Sequence, residues 1–166
     1  MSEHGTDPES LDTVVGGALR DAGVEHVHRG PGQWLVTLPG EARLQTQTWL
    51  LVREQTMGVQ AFVCRKPDEN LEGVYRFMLL RNAKLYGVHY CLDRVGDIHL
   101  VGRVPLHAIT AEEIDRLLGQ VLQAADGDFN TFLELGFASS IRREHAWRTS
   151  HGESTANLQA FEHLFS

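Results

Sequence analysis

Residues 88–105, VHYCLDRVGDIHLVGRVP, constrain the fold more than any other stretch of the chain. Val88, Tyr90, Leu92, Ile98 and Leu100 alternate with other residues at the period-two spacing of strands that bury one face. Between the two runs, Arg94-Val95-Gly96 forms a three-residue loop, with Gly96 at the left-handed position of a type I turn followed by a G1 bulge. That loop sets Leu92 opposite Ile98 and Tyr90 opposite Leu100. A slip of one residue would divide the apolar set between core and solvent, so this register is strongly specified. It also sets Cys91 opposite His99 and His89 opposite Val101, on the face away from the core.

The remaining elements follow from local signals. Asp7-Pro8-Glu9 reads as a helix start, with Asp7 as cap and Pro8 in the first helical position. Leu11, Val14, Val15, Ala18 and Leu19 then give an apolar stripe, and Gly23 ends it. The glycines of GGALRDAG (16–23) sit inside this helix after no strand, so they form no phosphate loop. His26 and His28 fall in a loop that runs through HRGPG (28–32) to the first strand, QWLVTLP. RLQTQTWLLVRE (43–54) and MGVQAFVCRK (57–66) read as a hairpin. Both are apolar on two faces in their second halves, which predicts central strands covered on both sides. PDEN (67–70) caps a second helix with Leu71, Val74, Tyr75, Met78 and Leu79 buried and Gly87 as its stop. Thr110 and Glu113 form a capping box for a third helix, with Ile114, Leu117, Leu118, Val121, Leu122 and Ala125 as its stripe. DGD (126–128) breaks or bends it before FNTFLELGF, and further helical turns are expected over ASSIRREHAWR. Ser154 caps a last short helix carrying Leu158, Phe161, Leu164 and Phe165. The order is α-β-β-β-α-β-β-α-α. Strands grouped this way predict an α+β fold, a twisted antiparallel sheet of about five strands with helices packed on it.

At 166 residues the chain is expected to be a single domain over 1–166, with residues 1–6 disordered. A chain of this length needs no disulfide or structural metal to hold a core. Its two cysteines, Cys64 and Cys91, are expected to be reduced. The formal net charge of −7 disfavours nonspecific binding to nucleic acid or anionic lipid. Thirteen of the fifteen basic residues are arginine, which reflects genome composition rather than function. The N-terminus has no apolar signal region, and no run approaches the roughly 20 apolar residues of a membrane helix. The expected location is therefore cytoplasmic.

Three places could carry chemistry. His89, Cys91 and His99 converge on the outer face of the hairpin and are candidate metal ligands. A zinc site would require a further ligand and a second shell, and neither His107 nor Asp93 is well placed to supply one. The segment SSIRREHAWRTSHGES (139–154) offers Arg142, Arg143, Trp147 and Arg148 as partner-binding candidates. Arginine grips carboxylates bidentately and tryptophan anchors interfaces. The alternative is that these arginines pair internally with Asp126, Asp128 and Glu134. The same segment places Ser139 and Ser140 near His145 and His151, a hydrolase reading without a nucleophile elbow or an oxyanion loop. The carboxylates Glu112 and Glu113 read as solvated charges. No catalytic set and no cofactor-binding set emerges.

Arg81-Asn82, Leu85-Tyr86-Gly87-Val88, Gly96-Asp97-Ile98, Val101-Gly102-Arg103 and Ile141-Arg142-Arg143-Glu144 together resemble the YbjN-like family, over about residues 30–165. Its members are widespread in actinobacteria and labelled bacterial sensory transduction regulators. The resemblance implies a fold like the type III secretion chaperones, usually dimeric, with no catalytic residues to carry over. The expectation is a non-enzymatic protein- or peptide-binding module, chaperone-like or regulatory. It would act as a cytoplasmic homodimer through the second helix and the 88–105 hairpin. The alternative is a small-molecule or metal-binding regulator using His89, Cys91 and His99, and a hydrolase stands third.

Overall fold

The computed structural model describes residues 8–166, so the expected cap at Asp7 and the expected disorder of 1–6 lie outside the described residues. The first helix, α1 (Pro8–Ala22), starts at the expected proline, and Gly23 closes it at φ 67°. Leu11, Val15, Ala18 and Leu19 are buried, whereas Val14 is exposed.

Six strands follow rather than about five: β1 (Glu25–Gly30), β2 (Gln33–Pro39), β3 (Gln45–Val52), β4 (Thr56–Cys64), β5 (His89–Leu92) and β6 (Ile98–Pro105). The additional strand is β1, where the sequence reading placed a loop. β1 is an edge strand paired antiparallel to β2 with a bulge near His28, and it lacks a buried apolar face. Apolar periodicity is blind to such a strand because its inner positions are histidines. His28 stacks on Trp34 at 4.2 Å between ring centroids, and its Nε2 lies 3.2 Å from Asp12 Oδ2. Trp34 Nε1 donates to Asp12 Oδ1 at 2.9 Å, and the Gly32 amide donates to the same carboxylate. His26 and His28 are thus structural parts of the β1–β2 corner on α1.

The strand order is β1-β2-β3-β4-β6-β5, all neighbours antiparallel. The chain leaves β4, forms α2 (Leu71–Asn82), runs along the far edge as β5 and returns through the hairpin to place β6 beside β4. The hairpin register is the expected one: Leu92 faces Ile98, Tyr90 faces Leu100, Cys91 faces His99 and His89 faces Val101. Gly96 takes φ 93° at the turn. A close approach of two glycines explains two of the motifs. At Gly102 a Cβ would lie 1.9 Å from the carbonyl oxygen of Gly87, so the turn after α2 sits directly on β6 where no side chain intervenes.

α2 differs from expectation at its ends and on its face. It stops at Asn82, before Gly87, and Asn70 supplies no side-chain cap. Val74 and Met78 are buried and Tyr75 is half-buried, but Leu79 remains 71% exposed. The last two residues of the helix hold the hairpin. Asn82 Oδ1 accepts from the Tyr90 amide at 2.7 Å, and Asn82 Nδ2 donates to the Tyr90 carbonyl at 3.1 Å. Arg81 Nε donates to Asp128 Oδ2 at 2.8 Å, and the Tyr90 hydroxyl lies 2.8 Å from the same oxygen.

After a 3₁₀ turn at Leu106–Ala108 come α3 (Ala111–Gly127), α4 (Phe129–Gly136) and α5 (Ala138–Ser150), then a 3₁₀ segment, Ala156–Leu164. Thr110 Oγ1 accepts from the Glu113 amide at 3.1 Å, as the capping box requires. The break at DGD is real, with Asp128 between α3 and α4. The helices pack on one side of the sheet. Trp34, Val36 and Leu38 of β2, Leu50 of β3, Met57, Val59, Ala61 and Val63 of β4, and Ile98, Leu100 and Val104 of β6 are buried beneath them. α3 also carries Ile114, Leu117, Leu118, Val121 and Ala125 into this core, and Leu122 is half-buried.

Candidate binding site on the open sheet face

Alternation along each strand puts a second set of residues on the opposite face. The registers align Leu35 of β2 with Trp49 of β3, Gln60 of β4, Val101 of β6 and His89 of β5 in one row across the sheet. Val27 of β1 extends that row, and Phe62, His99 and Cys91 form the neighbouring one. Leu51, Gly58 and Arg103 form a third. No element among the described residues covers these rows: Phe62 is 41% exposed, and Leu35, Trp49, Leu51 and Val101 are only half-buried. The sequence expectation was of central strands covered on both faces. They are central, but one face stands open, because the helices pack on the other. The signal was present as apolar residues at outer positions, and only the placement of every helix on one side shows it to be surface. An uncovered face with apolar side chains interrupted only by Gln60, Gly58 and a marginal Arg103 is of the kind that protein interaction sites present.

The histidine–cysteine group lies at one end of this face. Cys91 and His99 are direct neighbours, and His89 lies two residues along β5, at the next position on the same face. His99 Nε2 lies 3.0 Å from Asp93 Oδ2, while Asp93 Oδ1 accepts from the amides of Val95 and Asp97 at 3.0 Å each. Burial acts against ionisation of Asp93, but the hydrogen bonds from His99 and those two amides hold its carboxyl below the usual range. Phe62 meets the His99 ring edge-on at 5.5 Å. Among the described residues no group of three or more His, Cys, Asp or Glu side chains is placed to hold a metal ion. Cys64 and Cys91 are both free thiols, each pushed up chiefly by burial.

α5 carries the four partner-binding candidates, and they do not pair with Asp126, Asp128 or Glu134. α5 packs on the C-terminal 3₁₀ segment rather than returning along α3, so its arginines find nearer acceptors. Arg142 Nε donates to the Leu164 carbonyl at 3.1 Å, and Arg143 Nη2 to Ser140 Oγ at 2.9 Å. Arg148 donates to Glu144 at 2.6 Å and to the Ser154 carbonyl at 3.1 Å. The three carboxylates are engaged by the Arg43 amide, by Arg81 and by His163. Trp147 is 51% exposed and stacks on His151. Ser139 donates from both its amide and its hydroxyl to Glu69, and Ser140 Oγ donates to Asp68 Oδ2 at 3.0 Å. Neither serine meets a histidine, since His145 stacks on Phe165 and His151 on Trp147. PDEN therefore caps a helix, but a different one. Glu69 holds the start of α5, where the orphan amides of a helix N-terminus favour a carboxylate.

A second apolar patch lies at the β5 edge. Leu79 (71% exposed) on α2 stands beside Leu92, on a strand whose outer backbone edge is unpaired among the described residues, and Leu80 (60%) adjoins Leu79 along α2. Tyr75, Met78, Leu79, Cys91 and Leu92 line a shallow depression of about 220 Å³ there. Apolar periodicity does not mark this patch, because Leu79 fits the helical stripe and Leu80 falls outside it.

The family model of YbjN, described as "Putative bacterial sensory transduction regulator", matches residues 10–134. The chain belongs to the YbjN family. The match begins in α1, earlier than the motifs suggested, and ends in α4, so Ile141-Arg142-Arg143-Glu144 lies beyond it. Uncharacterised proteins of Mycobacterium bovis and Mycobacterium tuberculosis are 61% identical over 134 residues, 81% of this chain and 73% of theirs. One from Mycobacterium leprae is 62% identical over 130 residues, 78% of this chain and 71% of its own. Among solved structures, a chain of the ExsC–ExsE complex superposes with a TM-score of 0.54 at 16% identity, covering 74% of this YbjN chain and 93% of its own. A chain of the HopA1–SchA chaperone–effector complex gives 0.52 at 15%, covering 72% and 92%. A chain of the ExoU–SpcU complex from the type III secretion system of Pseudomonas aeruginosa gives 0.51 at 14%, covering 69% and 93%. This YbjN protein therefore has the α+β fold of the type III secretion chaperones. Among its described residues no helix is long and apolar enough to cross a membrane.

Proposed function

We propose that this YbjN protein is a non-enzymatic, cytoplasmic binding module that holds a protein or peptide segment, in a chaperone-like or regulatory role, as a homodimer folded as one domain. One observation carries the reading: Leu35 and Trp49 on one side of Gln60 and Val101 on the other, flanked by Leu51 and Phe62, form a largely apolar surface at the centre of a sheet, with no element over it among the described residues. A fold neighbour from a complex described as chaperone–effector supports the class of role. Fold by itself does not assign function, so the site must bear the argument. The apolar face suits an extended or helical segment with bulky side chains, and Arg103 and His89 at its margin suit acidic neighbours on that segment.

Homodimerisation is proposed through Leu79, Leu80 and the open edge of β5. Two exposed leucines beside an unpaired strand edge would be an aggregation hazard unless covered. Light scattering at micromolar concentration should give twice the monomer mass, and Leu79→Glu/Leu80→Glu should give the monomer. A wild-type monomer would end the dimer claim.

For partner binding, tagged wild-type protein recovered from its own cells is compared with two variants. Trp49→Ser should lose the specific co-purifying protein while keeping the oligomeric state and the circular dichroism spectrum. Arg142→Glu/Trp147→Ala tests the α5 surface in parallel. If Trp49→Ser keeps the partner and the α5 variant loses it, the site moves to α5. If neither loses it, the binding reading of both surfaces is wrong.

A further inference from the structure

The end of the sheet holds a second cleft, which shares Phe62 with the open face. β3 and β4 pair from Val52 opposite Met57 to Thr48 opposite Ala61, and beyond that pair they part. Arg43 fills the seam. Its Nη1 donates to the carbonyls of Phe62 and Val63, and its Nε to the carbonyl of Gln45 at 3.1 Å. Its own amide is held by Asp126 Oδ1 at 2.9 Å. Among the described residues Nη2 has no acceptor, and no carboxylate forms an ion pair with the guanidinium. Phe62 and Phe129 lie beside the guanidinium, with ring centroids at 5.6 and 5.4 Å.

Arg43 lines a cleft of about 470 Å³ whose walls include Phe129, Leu133, Phe137, Ile141 and Leu158. Small-molecule sites span roughly 300–1,000 Å³ and combine apolar walls with a few placed polar groups. The other charges at this cleft are cancelled: Arg65 pairs with Asp68 at 2.6 Å, and Glu144 with Arg148 at 2.6 Å. That leaves Arg43, half-buried, as the uncompensated charge of an apolar cavity. A desolvated charge without a counter-ion favours an anion. Phe137, Ile141 and Leu158 lie beyond residue 134, so the cleft forms where the family-matching part meets the segment that follows it.

We propose that this cleft binds a linear aliphatic carboxylate, its head on Arg43 and its chain between Phe129, Leu133 and Leu158. A peptide strand is the poorer occupant, because Arg43 already takes the β4 carbonyls of Phe62 and Val63 that a strand would need. The cleft shares Phe62 with the partner-binding surface, but the two tests are separable, because Trp49 lies outside this cleft.

The test is calorimetric titration of the full chain with sodium decanoate below its micellar concentration, beside 1-decanol and decylammonium. Decanoate should bind saturably at one site per chain. Decanol should bind about tenfold or more weakly, since it lacks the charge-assisted hydrogen bond. Decylammonium should bind more weakly still. Arg43→Gln should lose the preference for decanoate over decanol. Because Arg43 also holds the β4 carbonyls, a second variant keeps the test decisive: Leu133→Trp fills the cleft, leaves Arg43 in place and should abolish binding with an unchanged circular dichroism spectrum. No saturable decanoate binding, equal binding of decanol, or full binding by folded Leu133→Trp would each overturn the proposal.

Discussion

Removing a hydroxyl group should stabilise this protein at one buried position and destabilise it at another. Thr48 lies on the inner face of β3 between Val36 and Ala61, with 0% of its surface exposed. Among the described residues its Oγ1 has no hydrogen-bond partner. A buried hydroxyl without a partner forfeits about 1–3 kcal/mol of hydration. Thr48→Val replaces it with a methyl group of nearly the same shape, so a gain of about 1 kcal/mol is expected. Tyr90 is the opposite case. Its hydroxyl lies 2.8 Å from Asp128 Oδ2 and 3.0 Å from the Ala124 carbonyl, and its single proton favours the carboxylate. Burial, then the Asp128 charge, drives the Tyr90 phenol well above its ordinary range, so it remains a donor at every working pH. Tyr90→Phe loses a charge-assisted hydrogen bond, costing about 2 kcal/mol. Among the described residues Asp128 would keep only Arg81, at 2.8 Å. For a chain of this size 1 kcal/mol moves the melting temperature by roughly 2–4 °C. Thr48→Val should melt about 2–4 °C higher and Tyr90→Phe about 4–8 °C lower, by calorimetry at one fixed protein concentration, since dimerisation would make the value concentration-dependent. A Thr48→Val protein that melts lower, or a Tyr90→Phe protein that melts with wild type, would show that hydroxyl satisfaction is misassigned here.

Two further outcomes follow from the same core. Gly102→Ala drives a methyl group onto the Gly87 carbonyl, a backbone atom that cannot swing aside, so a loss above about 3 kcal/mol or failure to fold is expected. Urea denaturation reads it, and a near-wild-type midpoint would mean the two chain segments separate readily. The Cys64 thiol is pushed up to about 11, chiefly by burial and partly offset by the Arg43 charge. The folded thiol keeps its proton after the unfolded one has lost it near pH 9, so this contribution is complete below pH 9 and is lost between pH 9 and 11. The loss is at most about 2–3 kcal/mol. Urea midpoints at pH 8 and 10.5 should fall further for wild type than for Cys64→Ala, and equal falls would remove Cys64 as the cause.

How far the sequence could be read depends on how local each determinant is. The hairpin at 88–105 was legible to the residue because a three-residue loop and a period-two pattern act within eighteen consecutive positions. The cap at Thr110, the break at Asp128 and the stop at Gly23 are equally local. β1 was not legible, since its inner face is filled by His26 and His28, and only the Trp34 ring and Asp12 carboxylate give those side chains a reason to point inward. The role of PDEN was half legible: a carboxylate ahead of a helix was recognised, but Glu69 serves α5, seventy positions away. The alternative pairing of the α5 arginines with Asp126, Asp128 and Glu134 is not formed for the same reason, as proximity in sequence does not decide which acceptors α5 meets.

The sequence alone determined the α+β class, the hairpin register, the main helices and the family resemblance. These depend on turn chemistry, apolar periodicity and capping, which operate over a few residues. Tertiary structure alone decided that every helix packs on one side of the sheet, leaving Trp49 and its row uncovered. It also decided that Leu79 and Leu80 stand exposed beside the β5 edge, and that Arg43 faces an apolar cleft without a counter-ion. Each depends on which surfaces remain after the core has taken its share, a property of the whole packed chain.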